Sequence, residues 1–183
     1  MTVHMTWPDH LLSLDEWDAL PEDSSRRIEL AEGVIQVAAR PLSRHQKLMM
    51  RLGAQFDAAA DGRFEVRPDF EVVVDDGAAA TVRAPDLVLA AADLPDAAPR
   101  IHARDAIAVI EILSPGSRRL DRVLKLHEYA EAGVPFYLLV EPGPPVLLTE
   151  FRLVDGTYRL VADHAGSAAL ELGVTLDLEA LDA

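Results

Sequence analysis

Two acidic residues stand where acids are costly. Glu111 lies inside the apolar run Ala106–Leu113, "AIAVIEIL", and Asp86 opens the apolar run that follows Pro85 in "RAPDLVLA". An ionised carboxylate in an apolar interior is normally paired, neutralised or bound to a cation. Strand alternation puts Val109, Glu111 and Leu113 on one face, with Ile110 and Ile112 on the other. Glu111 also sits near the end of its run, where sheets open and ligands bind. If the strands of Asp86 and Glu111 are neighbours, their carboxylates converge. With water they then form a seat for a hard divalent cation such as Mg2+ or Mn2+. Lys125, in "SRRLDRVLKLHEY", adds an amine. An ammonium there can orient a nucleophilic water or stabilise charge developing on a phosphate oxygen. Plainer alternatives stand beside these readings. Asp86 could cap a strand end, Glu111 could pair with Arg83, and Lys125 could pair with Asp121 in an exposed i,i+4 bridge of small energetic weight.

The elements that must position these groups follow from local pattern. "SLDEWDAL", from Ser13, carries the Ser-x-x-Glu capping box of a short helix ending at Pro21. "RRIELAEGVIQVAA" alternates on both sides of Glu32-Gly33 and predicts a hairpin. "SRHQKLMMRLGAQFDAAA", from Ser43, predicts a helix with Leu48, Leu52 and Phe56 inward and Arg44, Lys47 and Arg51 on another face. "RFEVRPDFEVVVDDG" reads as a strand ending at an Asp-Gly turn, with "TVRAPDLVLA" as its partner. Residues 91–100 read as a loop, and "AIAVIEIL" as a buried strand. A helix follows from about Ser117 to Ala132, stopped by Gly133. On it Asp121, Lys125 and Glu128 share one face. Asp121 reads as structural support, while Leu120, Val123, Leu124 and Tyr129, with His127, read as packing residues. "PFYLLVEP" is a strand, "PVLLTEFRLVDGTYRLVAD" a hairpin, and "LELGVTLDL" a last strand. Helix, three strands, helix, strand from Ser43 onward predicts an α/β (α+β) mixed sheet with helices on its faces.

Composition bounds the rest. The chain has 183 residues, enough for one domain with a real core, and no linker divides it. It has no cysteine, which excludes disulfides, thiolate metal sites and cysteine nucleophiles. No apolar run spans a membrane and the start does not resemble a secretory signal, so a cytoplasmic protein is expected. The net charge of −14 argues against a generic nucleic-acid coat protein. Residues 40–67 and 100–125 nevertheless each carry six Lys or Arg against three Asp or Glu, so a polyanion would meet those segments, unless they are merely solvated faces.

A Pro-Asp, then a Glu in a strand, then a nearby Lys resembles the PD-(D/E)XK nuclease superfamily. Within it, "RIELAEGVI", "PLSRHQKL", "RAPDLVLA" and "VIEILSPGSRRLDRVLKLHEYAEAGVPFYLLVEP" resemble the Uma-type family of restriction-endonuclease-like proteins. The resemblance runs from about Ser13 to the C-terminal strands, and it rests on the order and spacing of the motifs together. It implies one restriction-endonuclease-like domain over 1–183, with a helix–three strands–helix–strand core, an N-terminal helix and hairpin, and a C-terminal hairpin. It implies a Mg2+-dependent (or Mn2+-dependent) endonuclease acting on nucleic acid, DNA in the first instance, with Asp86 and Glu111 binding the metal. Glu29 and His45 fall on family motif positions, Glu29 as a further metal ligand and His45 as an auxiliary site residue. Leu113 stands where the superfamily motif has its lysine, so Lys125 on the following helix takes that role. Two rival readings remain: a nuclease-fold binding or regulatory protein without turnover, and a metal-dependent hydrolase of small phosphorylated substrates. The acidic C-terminal third could serve a homodimer that presents two sites to a duplex.

Overall fold

The computed structural model describes residues 8–21, 27–38, 41–95, 97–114, 116 and 120–182. The chain runs α1 (Leu14–Asp18), β1 (Arg27–Ala31), β2 (Val34–Ala38), α2 (Ser43–Ala59), β3 (Phe64–Pro68), β4 (Glu71–Asp75), β5 (Thr81–Arg83), β6 (Leu87–Ala91), β7 (Arg100–His102) and β8 (Ala106–Ile112). A π-helical segment (Leu120–Lys125) leads into α3 (Leu126–Glu131). Then come β9 (Phe136–Glu141), β10 (Leu147–Val154), β11 (Thr157–Ala165), β12 (Ser167–Ala169) and β13 (Thr175–Asp177).

The architecture is the expected mixture of helices and mixed sheets, but the strands divide between two main sheets. One has five strands in the order β2-β1-β5-β4-β7, and the other six in the order β11-β10-β9-β8-β6-β3. β8 and β9 are parallel, joined by the crossover through α3, and β4 pairs in parallel with β7. The remaining pairs in both sheets are antiparallel.

The division corrects the expectation of two long partner strands in one sheet. Residues 63–77 break at Asp69, whose φ is 47°, so β3 joins the large sheet and β4 the small one. Residues 81–90 break at Ala84–Pro85, so β5 stays with β4 and β6 stays with β3. Pro85 has no N–H to offer a ladder, and this is the point where the ladder changes sheets. The two breaks face each other, and Asp69 N–H donates to the Asp86 carbonyl at 3.2 Å. Asp86 therefore sits at the corner where the sheets part. Two other expectations change in detail. β7 begins at the end of the segment read as a loop, and the last strand is half of a two-stranded β12–β13 unit.

The expected inward residues of α2, Leu48, Leu52 and Phe56, are buried with Leu87, Ile110, Leu138 and Leu176 in a core on one face of the large sheet. The other face packs Val88, Val109, Leu113, Tyr129 and Tyr137 together with Val72 and Ile101 of the small sheet. A third cluster holds α1 to the small sheet through Trp17, Leu30 and Val82. The α1 capping box forms as its spacing predicts: Glu16 N–H reaches Ser13 Oγ, and Glu16 accepts the Ser13 N–H at 2.9 Å. Val123 and Leu124 do not pack as expected, being 63% and 42% exposed. His127 is also exposed and pairs with Glu131. On this π turn Asp121 and Lys125 are the buried residues, and they turn the Val123 face to solvent.

Candidate functional site

All five residues singled out in the sequence lie within one network at the corner between the sheets. Asp86 precedes the Leu87↔Ile110 register pair, which places it beside Glu111 on the neighbouring strand. Asp86 Oδ2 accepts the Ile112 backbone N–H at 2.7 Å. Its Oδ1 accepts from Arg27 Nη1 at 2.9 Å and lies 3.0 Å from His45 Nε2, at the first turn of α2. An ionised carboxylate only accepts, so that imidazole nitrogen carries the hydrogen. Burial opposes the charge on Asp86, yet the His45 hydrogen bond, Arg27 and the Ile112 N–H outweigh it and hold its pKa below the usual range.

Lys125 points into the same corner from the opposite side. Its Nζ donates to Glu111 Oε1 at 2.8 Å and to Glu29 Oε1 at 3.2 Å, with Asp121 Oδ1 at 3.8 Å. It is only 4% exposed, so the exposed i,i+4 bridge is not what forms. Burial works against the ammonium, but Glu111, Glu29 and Asp121 keep its pKa above the ordinary lysine value. The π geometry is fixed in part by Tyr137, whose hydroxyl donates to the Asp121 carbonyl at 2.9 Å. π-Helical turns recur at functional sites, and this one delivers the amine.

Glu29 projects from β1. Its Oε1 also accepts the Ala84 N–H at 3.3 Å, and its Oε2 accepts from Arg83 Nη1 at 3.1 Å. Both oxygens are thus already engaged by cations or backbone of this chain. Burial raises its pKa, but Lys125, Arg83 and Arg27 together bring it below the normal glutamate value. Arg83, weighed from sequence as a partner for Glu111, instead spans Glu29 and Glu128. Its Nε and Nη2 donate to Glu128 at 2.8 and 2.6 Å, and Nη1 reaches Gln36 at 3.3 Å.

Glu111 is the least compensated of the acids. It is buried beside Tyr129, whose hydroxyl lies 3.4 Å from Oε1, and Tyr129 packs on Tyr137 at 5.4 Å between ring centroids. That aromatic wall removes water. Burial pushes the Glu111 pKa up to about 8: Lys125 opposes the rise, while Asp86, Asp121 and Glu29 add to it. One ammonium is shared among three carboxylates, so protonation of Glu111 is the cheapest relief.

The donor chemistry fits a hard divalent cation. Among the described residues, five carboxylates, Glu29, Asp86, Glu111, Asp121 and Glu128, crowd around Arg27, Arg83 and Lys125. Asp86 and Glu111 offer carboxylate oxygens from adjacent strands, and Mg2+ commonly takes one or two carboxylates, completing its shell with water and phosphate. Among the described residues, no three His, Cys, Asp or Glu side chains form a ready cage.

Sequence reading did not single out Arg27, which the motif-bearing "RRIEL" carries two residues before Glu29. Nor did it assign Glu128 its role as the clamp on Arg83. Both depend on strand order, which local pattern does not carry.

Comparison with known proteins agrees with this architecture. A crystal structure of a putative nuclease of the DUF820 family from Anabaena variabilis is similar, with a TM-score of 0.71 at 15% identity over 93% of this chain and 97% of that one. At that identity the likeness is one of fold. No curated protein matches. The family model Uma2, "Putative restriction endonuclease", matches residues 14–182. By that match, which takes in nearly the whole chain and every residue of the corner network, the chain belongs to the Uma2 family.

Proposed function

We propose that this chain is a divalent-cation-dependent nuclease that hydrolyses nucleic-acid phosphodiester bonds, DNA in the first instance, within one restriction-endonuclease-like domain. The observation that carries the reading is Lys125 Nζ, buried 2.8 Å from Glu111 at the corner where Asp86 also faces. Asp86 and Glu111 hold Mg2+ or Mn2+. When bound, that ion polarises the phosphate and lowers the pKa of water. Lys125 orients the attacking water and stabilises charge on the phosphate. Glu29 is better placed to hold Lys125 than to ligate metal, because both its oxygens are taken. His45 orients Asp86 through its Nε2–H. The family description and the nuclease-like fold support this reading.

The test is nicking of supercoiled plasmid in Mg2+ or Mn2+ by the wild type, Asp86→Asn and Glu111→Gln. Each variant is expected to lose at least about 100-fold in rate, the scale for removing one electrostatic stabiliser. Activity retained in both variants refutes the assignment. One observation favours the rival, a nuclease-fold binding protein without turnover: Asp86 already has Arg27 at 2.9 Å as a counter-charge. Absence of cation binding by the wild type would select that rival.

A further inference from the structure

Two arginines serve this corner, Arg83 buried and Arg27 partly exposed, and they are held differently. Arg83 is wholly buried, and its Nε, Nη1 and Nη2 all donate, to Glu128, Glu29 and Gln36. All three of its nitrogens are engaged, as expected of a permanent structural cation. Those of Arg27 are not. Nη1 donates to Asp86 Oδ1 at 2.9 Å and lies 3.5 Å from Asp69 Oδ1, and Nη2 donates to the Ala84 carbonyl. Its Nε, however, is buried with no hydrogen-bond partner among the described residues. A desolvated donor left unmet is unfavourable, so charge more than hydrogen-bond geometry keeps the guanidinium in place. The Arg27 side chain is also 21% exposed against 0% for Arg83, so it has a way out towards the rim, where Asp69 is half-exposed.

Arg27 holds an oxygen of the carboxylate that a metal would need. Asp86 Oδ2 accepts the Ile112 N–H and Oδ1 is shared by Arg27 and His45, so both oxygens are engaged and a cation at either lies against the guanidinium. A divalent cation there would meet a guanidinium of the same sign in a poorly screened setting, where repulsion is strong. We propose that Arg27 is a positioning residue that competes with the divalent cation for Asp86. It neutralises the carboxylate while the cation is absent and must draw back from Asp86 for the cation to bind. This rests on the cation-dependent reading above. It adds that cation affinity is set low by the chain itself, so the site fills only at high free cation concentration.

The experiment is Mn2+ titration by calorimetry on the full chain, comparing wild type with Arg27→Met and Arg27→Lys. The methionine removes the charge at similar length and is expected to bind Mn2+ at least about tenfold tighter, a change of about 1.4 kcal/mol. The lysine keeps the charge and is expected to stay near wild type. Equal or weaker binding by Arg27→Met, with the wild type still binding, overturns the competition and leaves the cation site intact. No binding by either protein overturns both together. If Arg27→Met does not fold, the Arg27 Nε–H resonance of the wild type decides. It should shift on saturation with Mg2+, and an unmoved resonance overturns the proposal.

Discussion

Glu111 makes the stability of the cation-free protein depend on pH in a direction opposite to most carboxylates. Its ordinary pKa is 4.5 and in the fold burial pushes it up to about 8. Between those values the folded chain keeps a proton that the unfolded chain has lost. The group therefore contributes stability that is fully present below pH 4.5 and is lost as pH rises through about 8. At about 1.36 kcal/mol per pH unit, the rise from 4.5 to about 8 corresponds to about 5 kcal/mol. Glu111→Gln mimics the protonated acid and cannot titrate, and its amide oxygen still accepts from Lys125. Urea unfolding of both proteins at constant ionic strength with chelator, from about pH 5 to pH 9, reads the effect. The two stabilities are expected to be close near pH 5. By pH 9 the variant should be ahead by several kcal/mol, up to about 5. Saturating Mg2+ should remove most of that gap, because a cation takes the place of the proton. A difference that stays flat across the range would refute the burial argument, and with it the uncompensated charge assigned to this corner.

Two further perturbations probe the same frame. Lys125→Met leaves Glu29 and Glu111 without their shared ammonium, which is 2.8 Å from one and 3.2 Å from the other. Removing one partner of a buried pair costs about 3–5 kcal/mol, and the loss by urea unfolding should grow as pH rises above about 8, where the wild-type Glu111 ionises against Lys125. Cleavage should disappear while Mn2+ binding persists, and a variant as active as wild type would remove Lys125 from the mechanism. Gly33→Ala tests the corner hairpin: Gly33 has φ +75°, and an added Cβ would lie 2.7 Å from Leu11 Cβ. Strain and clash together should cost more than about 1 kcal/mol, read as a lower urea midpoint with an unchanged slope.

Much of the local structure was legible because its causes are local. Ser13 and Glu16 cap α1, Glu32-Gly33 and Asp155-Gly156 turn their hairpins with positive φ, and Leu48, Leu52 and Phe56 mark the buried face of α2. Each signal spans a few residues and needs nothing distant. The carboxylates were legible for a related reason. An acid among Val, Ile and Leu requires compensation wherever the strand goes, so Asp86 and Glu111 announced themselves before their partners were known.

Those partners were decided by tertiary structure. Arg27 reaches Asp86 across 59 positions and Lys125 reaches Glu29 across 96, so both contacts depend on strand order. The break of residues 63–77 and 81–90 into two sheets was hidden for the same reason. Pro85 marks a ladder stop locally, but that β5 stays with β4 while β6 joins β3 depends on which strands come to lie alongside. The burial of Asp121 and Lys125 on the π turn, with Val123 and Leu124 outside, is likewise a tertiary outcome: the apolar residue types alone point to the reverse. The amino-acid sequence by itself determined which groups could not remain unpaired in a dry interior. The fold decided which charge answers which, because Coulomb energy depends on separation in space and the chain's order records separation only along its length.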